Sequence, residues 1–258
     1  HRSSAASDVY KRQIIRTGDT TSWEALINTA ERIDIGDIKI LAPIPHLIRD
    51  MVCVGKNYYA HAKEFFDSGF DATQKETIPS EPIIFTKAMT SLVGPNDAID
   101  SSIDPTHSVD YEGELGVIIS KTARRVAKAD WKDYVFGYVI INDVTSRELQ
   151  KKHNQWTIGK GLDTFGPMGP YIVTKDEIDD LPSMQIQTLV NNEVRQQAEV
   201  RDLIFDIPTL IETLTLTGTL LAGDIIATGT PVGVGIGFTP PKFLKSGDIV
   251  TINVTGLG

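Results

Sequence analysis

Asp110-Tyr111-Glu112-Gly113-Glu114-Leu115-Gly116-Val117-Ile118-Ile119 sets two carboxylates two residues apart at the entry to an apolar, β-branched run. The run reads as a strand, where alternate residues share a face, so Glu112 and Glu114 point to one side. Like charges aimed at one point repel unless a cation or proton intervenes, which makes the pair candidate hard-cation ligands. The alternative is a pair on a solvated strand edge, where Glu-x-Glu is common. Asp143 ends Tyr138-Val139-Ile140-Ile141-Asn142-Asp143, at the close of a second apolar strand. Three carboxylates with open coordination positions suit Mg2+ or Mn2+.

Around this stretch, Gly and Pro punctuate further short β-branched runs: Val117–Ile119, Val139–Ile141, Tyr171–Thr174, Ile186–Val190, Ile225–Thr228 and Ile249–Val254. Helix candidates are few, at Asn57–Ser68, Asp130–Phe136, Thr145–Lys152 and Pro208–Thr217. Irregularly spaced strands with few long amphipathic helices predict an α+β, mainly β architecture in place of a regular βαβ winding. Residues 1–48 read as a small N-terminal region, its first 12 or so residues a tag or disordered lead, and 49–258 as the main domain. Within the former, Trp23, Leu26, Ile27 and Ala30 recur at helical spacing behind Ser22, before Pro43-Ile44-Pro45 breaks the chain.

The 258 residues are 41% hydrophobic and 23% charged, enough to bury a core without disulfides or structural metals. With 25 Lys and Arg against 34 Asp and Glu, the formal charge of −9 argues against nucleic acid as a partner. The single cysteine, Cys53, suits a reducing intracellular compartment, cytoplasmic or mitochondrial. No apolar run approaches the roughly 20 residues that span a bilayer, so no membrane role is expected. Gly233-Val234-Gly235-Ile236-Gly237 leads to Pro240-Pro241 instead of opening a helix, and no nucleotide cofactor is inferred.

His61 and Glu64 stand three apart in a helix candidate, which puts both on one face. A carboxylate beside an imidazole raises its basicity, so His61 is a candidate general base with Glu64 orienting the ring; the alternative is an exposed pair. The segment Phe65–Glu81, rich in Gly, Asp, Ser and Thr, reads as a mobile lid.

Several motifs, in this order, resemble the fumarylacetoacetate hydrolase (FAH) family. They are Val54-Gly55-Lys56-Asn57-Tyr58 followed by His61, then Asp110–Gly116, Asp143, Gln155–Lys160, Asp163–Pro167 and Ala227–Gly235. Pro240–Asp248 is most similar to the FAH-domain-containing subgroup. The resemblance implies an FAH-type mixed β-sheet roll, a homodimer, and one Mg2+ or Mn2+ held by Glu112, Glu114 and Asp143. It implies a small-molecule 2-oxo acid as substrate. The reaction it favours is C–C bond hydrolysis of a β-diketo acid, an acylpyruvate or fumarylacetoacetate-like molecule, through a metal-stabilised enolate. An oxaloacetate decarboxylase or keto–enol tautomerase using the same site is the alternative, and a catalytically silent metabolite-binding protein the third.

By the same resemblance, His61, Glu64 and Lys160 are the catalytic candidates. Lys160 would face the substrate carboxylate or the developing oxyanion, with an exposed loop lysine as the plain alternative. Arg147, Gln150 and Thr230 would contact substrate, although each also suits a surface or turn position. The chain departs from the family pattern at Lys56, where Arg or an uncharged residue is commoner. It departs again at Glu148-Leu149 between Arg147 and Gln150, and at Asn192 in Asn191-Asn192-Glu193.

Overall fold

The computed structural model describes residues 13–18, 29, 32–71 and 76–258. In chain order it contains β1 (Met51–Gly55), α1 (Tyr59–Asp67), β2 (Ile83–Lys87), β3 (Leu92–Val93), β4 (Val109–Asp110), β5 (Gly113–Ile119) and β6 (Val135–Asn142). There follow β7 (Thr145–Ser146), α2 (Arg147–His153), α3 (Thr157–Lys160), β8 (Gly166–Pro167), β9 (Val173–Thr174) and β10 (Gln185–Val190). β11 (Glu193–Glu199), α4 (Ile207–Thr217), β12 (Ile225–Ala227) and β13 (Val250–Val254) complete the set.

Six strands form one mixed sheet in the order β2-β1-β12-β5-β6-β9. β1 runs parallel to β12, and the other pairings are antiparallel. A second antiparallel sheet, β11-β10-β13, stands apart from it in hydrogen bonding. All seven residues of β5 are buried, because the sheet is covered on both faces. Leu115, Val117 and Ile119 pack with Ile186 of β10, Val254 of β13 and Leu210 and Ile211 of α4. Ile118, with Cys53, Val139 and Ile141, packs instead against Ala42, Ile44 and Ile15 of the N-terminal region. The β-branched runs that identified these strands are thus core on both sides, as a near-continuous apolar run implies.

The architecture agrees with the expected mainly β, α+β fold, and most expected elements occur with ends shifted by a residue or two. The Asp130–Phe136 helix is a correction: 3-10 turns occupy Lys128–Tyr134, and Val135 already opens β6. β-branched Val135 and aromatic Phe136 fit the pleated sheet better than a helix. Thr145 and Ser146, also expected as helical, pair with β4, so that helix begins at Arg147. The helix expected from Trp23, Leu26, Ile27 and Ala30 lies outside the described residues. α4 is capped by Asp206, whose side chain accepts from Thr209 N–H at 3.0 Å, with Pro208 in its first turn.

The turn from β1 into α1 is pinned by buried Asn57. Its side-chain amide donates to the carbonyls of Phe205 (3.0 Å) and Thr228 (2.8 Å), and its oxygen accepts from Phe205 N–H at 2.8 Å. Three distant segments therefore meet on one side chain. Asn57→Ala strands these backbone groups and is expected to cost about 2–4 kcal/mol of stability. Urea denaturation at unchanged m-value checks this; a loss under about 0.5 kcal/mol would show that water replaces the amide.

Candidate metal centre and cleft

β5 and β6 deliver the acidic residues to one end of the large sheet. Glu112 lies just ahead of β5 and Glu114 within it, while Asp143 follows the last residue of β6. All three are buried, and each offers a carboxylate oxygen within 4.8 Å of the others. The solvated-edge alternative is thereby excluded. Asp110 is a fourth buried carboxylate, at the end of β4.

Three buried cations answer them. Lys160, from the end of α3, donates to Glu112 Oε2 and Asp143 Oδ2, both at 2.7 Å. Arg147, the first residue of α2, donates through Nε to Asp110 Oδ2 at 2.8 Å and reaches Glu112 Oε1 at 2.7 Å with Nη1. Lys87, at the inner end of β2, donates to the carbonyls of Val144 (2.9 Å) and Lys160. Its ammonium lies 2.9 Å from Asp143 Oδ1, in Coulombic contact, but this buried oxygen receives no hydrogen bond. Backbone donors complete the shell: Gly229 N–H to Glu114 Oε2 at 2.8 Å, and Gly235 and Ile236 N–H to Asp110.

The carboxylates respond to their positions. Burial pushes the Glu112 carboxyl up, but Lys160 and Arg147 outweigh it and hold it down at about 2. Burial and the neighbouring Asp143 and Glu112 push Glu114 well above the usual carboxylate range, outweighing the more distant pull of Lys160 and the Gly229 amide. Burial lowers the Lys160 ammonium, and Asp143 with Glu112 more than restores it, so it lies above its ordinary value. Cys53, wholly enclosed beside this centre, has its thiol pushed up by burial and by Asp143 and Glu114. An all-oxygen set of three converging carboxylates, one oxygen without a donor and one carboxyl resisting ionisation, fits a hard divalent cation.

Above the acids opens a cleft lined by Val54, Gly55, Lys56, His61, Phe65, Phe85, Glu112, Arg147, Gln150, Trp156, Lys160 and Thr230. α1 presents His61 and Phe65, one turn apart, on its buried face. His61 Nδ1 lies 3.1 Å from Glu64 Oε2, and Glu64 accepts from Gly233 N–H at 2.9 Å, so the carboxylate is itself held. Gly55 permits the aromatic wall: a Cβ there would sit 2.1 Å from the Trp156 ring.

Every expected site residue other than Glu64, Glu114 and Asp143 lines this cleft, and those three sit directly behind residues that do. Gln150 accepts from Arg147 Nη1 at 3.3 Å. The Thr230 hydroxyl is already committed, donating to Gly113 C=O at 3.0 Å and accepting from Gln196 Nε2 at 2.8 Å. Phe65, expected to open a lid, belongs to α1 and is buried, whereas residues 72–75 of that segment lie outside the described residues. Lys87, Asp110 and Gln196 were not expected. Asp110 extends the alternating Asp-x-Glu-x-Glu pattern and was visible in principle; Lys87 and Gln196 carry no local signal.

The sequence pattern of the fumarylacetoacetate (FAA) hydrolase C-terminal domain matches residues 50–258. The chain belongs to the fumarylacetoacetate hydrolase family. Among its relatives, oxaloacetate tautomerase YisK of Bacillus subtilis is 49% identical over 224 residues, covering 87% of this chain and 72% of the relative. A fumarylacetoacetate hydrolase from Exiguobacterium antarcticum superposes with a TM-score of 0.76 at 38% identity, covering 95% of this chain and 87% of that one. Maleylpyruvate hydrolase from Sphingobium sp. SYK-6, solved with manganese(II) and pyruvate, superposes with a TM-score of 0.76 at 33% identity, covering 96% and 82%. No described helix is long and apolar enough to cross a membrane.

Glu114 resists ionisation in the metal-free protein, so Glu114→Gln exchanges one neutral group for another of the same shape. Its melting temperature in EDTA is expected to stay within about two degrees of the parent's. The rise that Mg2+ or Mn2+ gives the parent protein should vanish. Thermal unfolding with and without metal checks both; an undiminished metal response would remove Glu114 from the ligand set.

Proposed function

We propose that this chain is a divalent-metal-dependent enzyme that interconverts the keto and enol forms of a 2-oxo dicarboxylic acid of the oxaloacetate class. The carrying observation is the buried triad Glu112, Glu114 and Asp143 beneath a cleft that also holds the His61–Glu64 pair. Likeness to the Bacillus tautomerase supports this substrate class ahead of the acylpyruvate or fumarylacetoacetate-like acids first expected. In the same proposal, 49–258 is the catalytic unit, and the protein works as a homodimer in a reducing compartment, cytoplasmic or mitochondrial.

A Mg2+ or Mn2+ ion on Glu112, Glu114 and Asp143 supplies Lewis-acid polarisation of the 2-oxo group. The chain's own residues then handle the proton. With Nδ1–H donated to Glu64, the neutral imidazole of His61 presents Nε2 as the base. It takes a proton from the carbon next to the ketone and returns one to the oxygen, so only C–H and O–H bonds change and no water is consumed. Lys160 and Arg147 place positive charge beside the developing oxyanion, and Gln150 steadies Arg147. Trp156, Phe65 and Phe85 exclude water from the cleft, which strengthens each of these interactions.

Hydrolysis of a C–C bond is the second reading, supported by the maleylpyruvate hydrolase likeness. It would use the same base: His61 would draw a proton from water, hydroxide would add to the distal carbonyl, the bond from that carbonyl carbon to C3 would break, and the 2-oxo acid fragment would leave with the bonding electrons and take up the proton at C3.

Metal-loaded protein should speed the ultraviolet absorbance loss of enol-oxaloacetate, and EDTA should abolish the effect. His61→Ala should lower kcat by about 10^2- to 10^4-fold while metal still raises the melting temperature. Undiminished turnover in that variant would dismiss His61 as the base. Faster cleavage of acetylpyruvate than tautomerisation of oxaloacetate would put hydrolysis first.

A further inference from the structure

Lys56 is a cleft residue for which the mechanism above has no use. Its side chain is 3% exposed, and its ammonium donates to Asp71 Oδ2 at 2.6 Å and to Glu76 C=O at 3.0 Å. It lines the same cleft as His61, Glu112, Arg147 and Lys160. Its backbone lies at φ +54, a left-handed conformation that glycine enters freely and lysine only at a cost. A lysine kept at such a position beside the cleft, with its side chain buried, needs a reason of its own.

Charge supplies that reason. Among the described residues at the metal centre, Asp110, Glu112, Glu114 and Asp143 face Lys87, Lys160 and Arg147, one negative charge in excess. A divalent ion turns that excess into a single positive charge, which balances one substrate carboxylate. A second carboxylate would enter a buried, uncompensated position unless it met a cation of its own. Arg147 and Lys160 are held by carboxylates of the metal centre, Asp110, Glu112 and Asp143, where their charge serves the reacting end of the substrate. The partner of Lys56 is Asp71, which follows α1 and takes no part in the metal centre.

Resting on the proposed function, we infer that Lys56 receives the distal carboxylate of a 2-oxo dicarboxylic acid, which takes the place of the Asp71 carboxylate on its ammonium. Exchange of one carboxylate for another leaves the ammonium paired throughout, and the cost falls on the displaced Asp71 carboxylate, which must turn to water or to other donors. Lys56 is then the residue that selects dicarboxylic from monocarboxylic 2-oxo acids, and Asp71 is its internal competitor. The plain alternative is a structural staple between the start of α1 and the segment after it.

The test compares two ligands by calorimetry on Mg2+-loaded protein. Oxalate offers only the metal-binding end; 3,3-difluoro-oxaloacetate carries the distal carboxylate and has no C3 proton to lose. Lys56→Met is expected to weaken the difluoro ligand by about 10- to 100-fold, the worth of a charge-assisted hydrogen bond, while oxalate stays within about twofold. Lys56→Arg should keep the preference, and Asp71→Asn should tighten the difluoro ligand alone. Equal losses for both ligands, or no loss for either, would overturn the inference and return Lys56–Asp71 to a staple. Oxaloacetate turnover by the parent protein is scored separately. Absent turnover with the ligand preference intact defeats the proposed reaction and keeps Lys56, whereas normal turnover with no preference defeats Lys56 alone.

Discussion

Packing four carboxylates into the dry end of a sheet is the constraint on which the rest of this structure depends. Unpaired, each buried charge would cost several kcal/mol. Lys87, Lys160 and Arg147 therefore arrive from β2, α3 and α2, and backbone N–H groups arrive from residues 229, 235 and 236. The charge count leaves the compensation incomplete, and the shortfall falls on Glu114, which accepts from the Gly229 amide in place of a cation. A site balanced in this way is shaped to gain from a cation without falling apart for want of partners among its own side chains.

The sheet makes that concentration of charge possible. With both faces covered by apolar clusters, β5 and β6 are rigid supports that project Glu114 and Asp143 to a common point. The opposite wall is built from α1 and the short α2 and α3, which lie outside that sheet. Its alignment depends on single side chains that reach across the molecule, as Asn57 does to residues 205 and 228, and Glu64 to Gly233. The His61–Glu64 pair and the acidic triad are thus mounted on different elements and meet in the cleft.

Legibility in the sequence follows the range of the interaction. Glu112 and Glu114 were readable because chemical identity and a period of two coincide within three residues. Asp143 was readable because it ends an apolar run. His61 and Glu64 were readable because one helical turn joins them. Lys87 was not, since it meets Asp143 across 56 residues of chain and its strand carries no other polar inward residue. The hydrogen bonds of Thr230 to Gly113 and Gln196 were equally hidden, because both partners are far from it in the chain. Lys56 stood out in the sequence only as a departure from a pattern, and the positive φ and the pairing with Asp71 that give it meaning are properties of the folded chain. The missed boundary at Asp130–Phe136 has the same origin: the sheet claims Val135 and Phe136 against their local helical spacing.

Cys53 adds a practical corollary. It is the sole thiol of the sequence, fully enclosed in β1 and hydrogen-bonded weakly to Met51 C=O. A thiol-reactive dye reaches it only when β1 separates from its neighbours in the sheet. Dye incorporation under native conditions therefore clocks the opening of the large sheet at β1, a built-in chronometer that requires no engineered label.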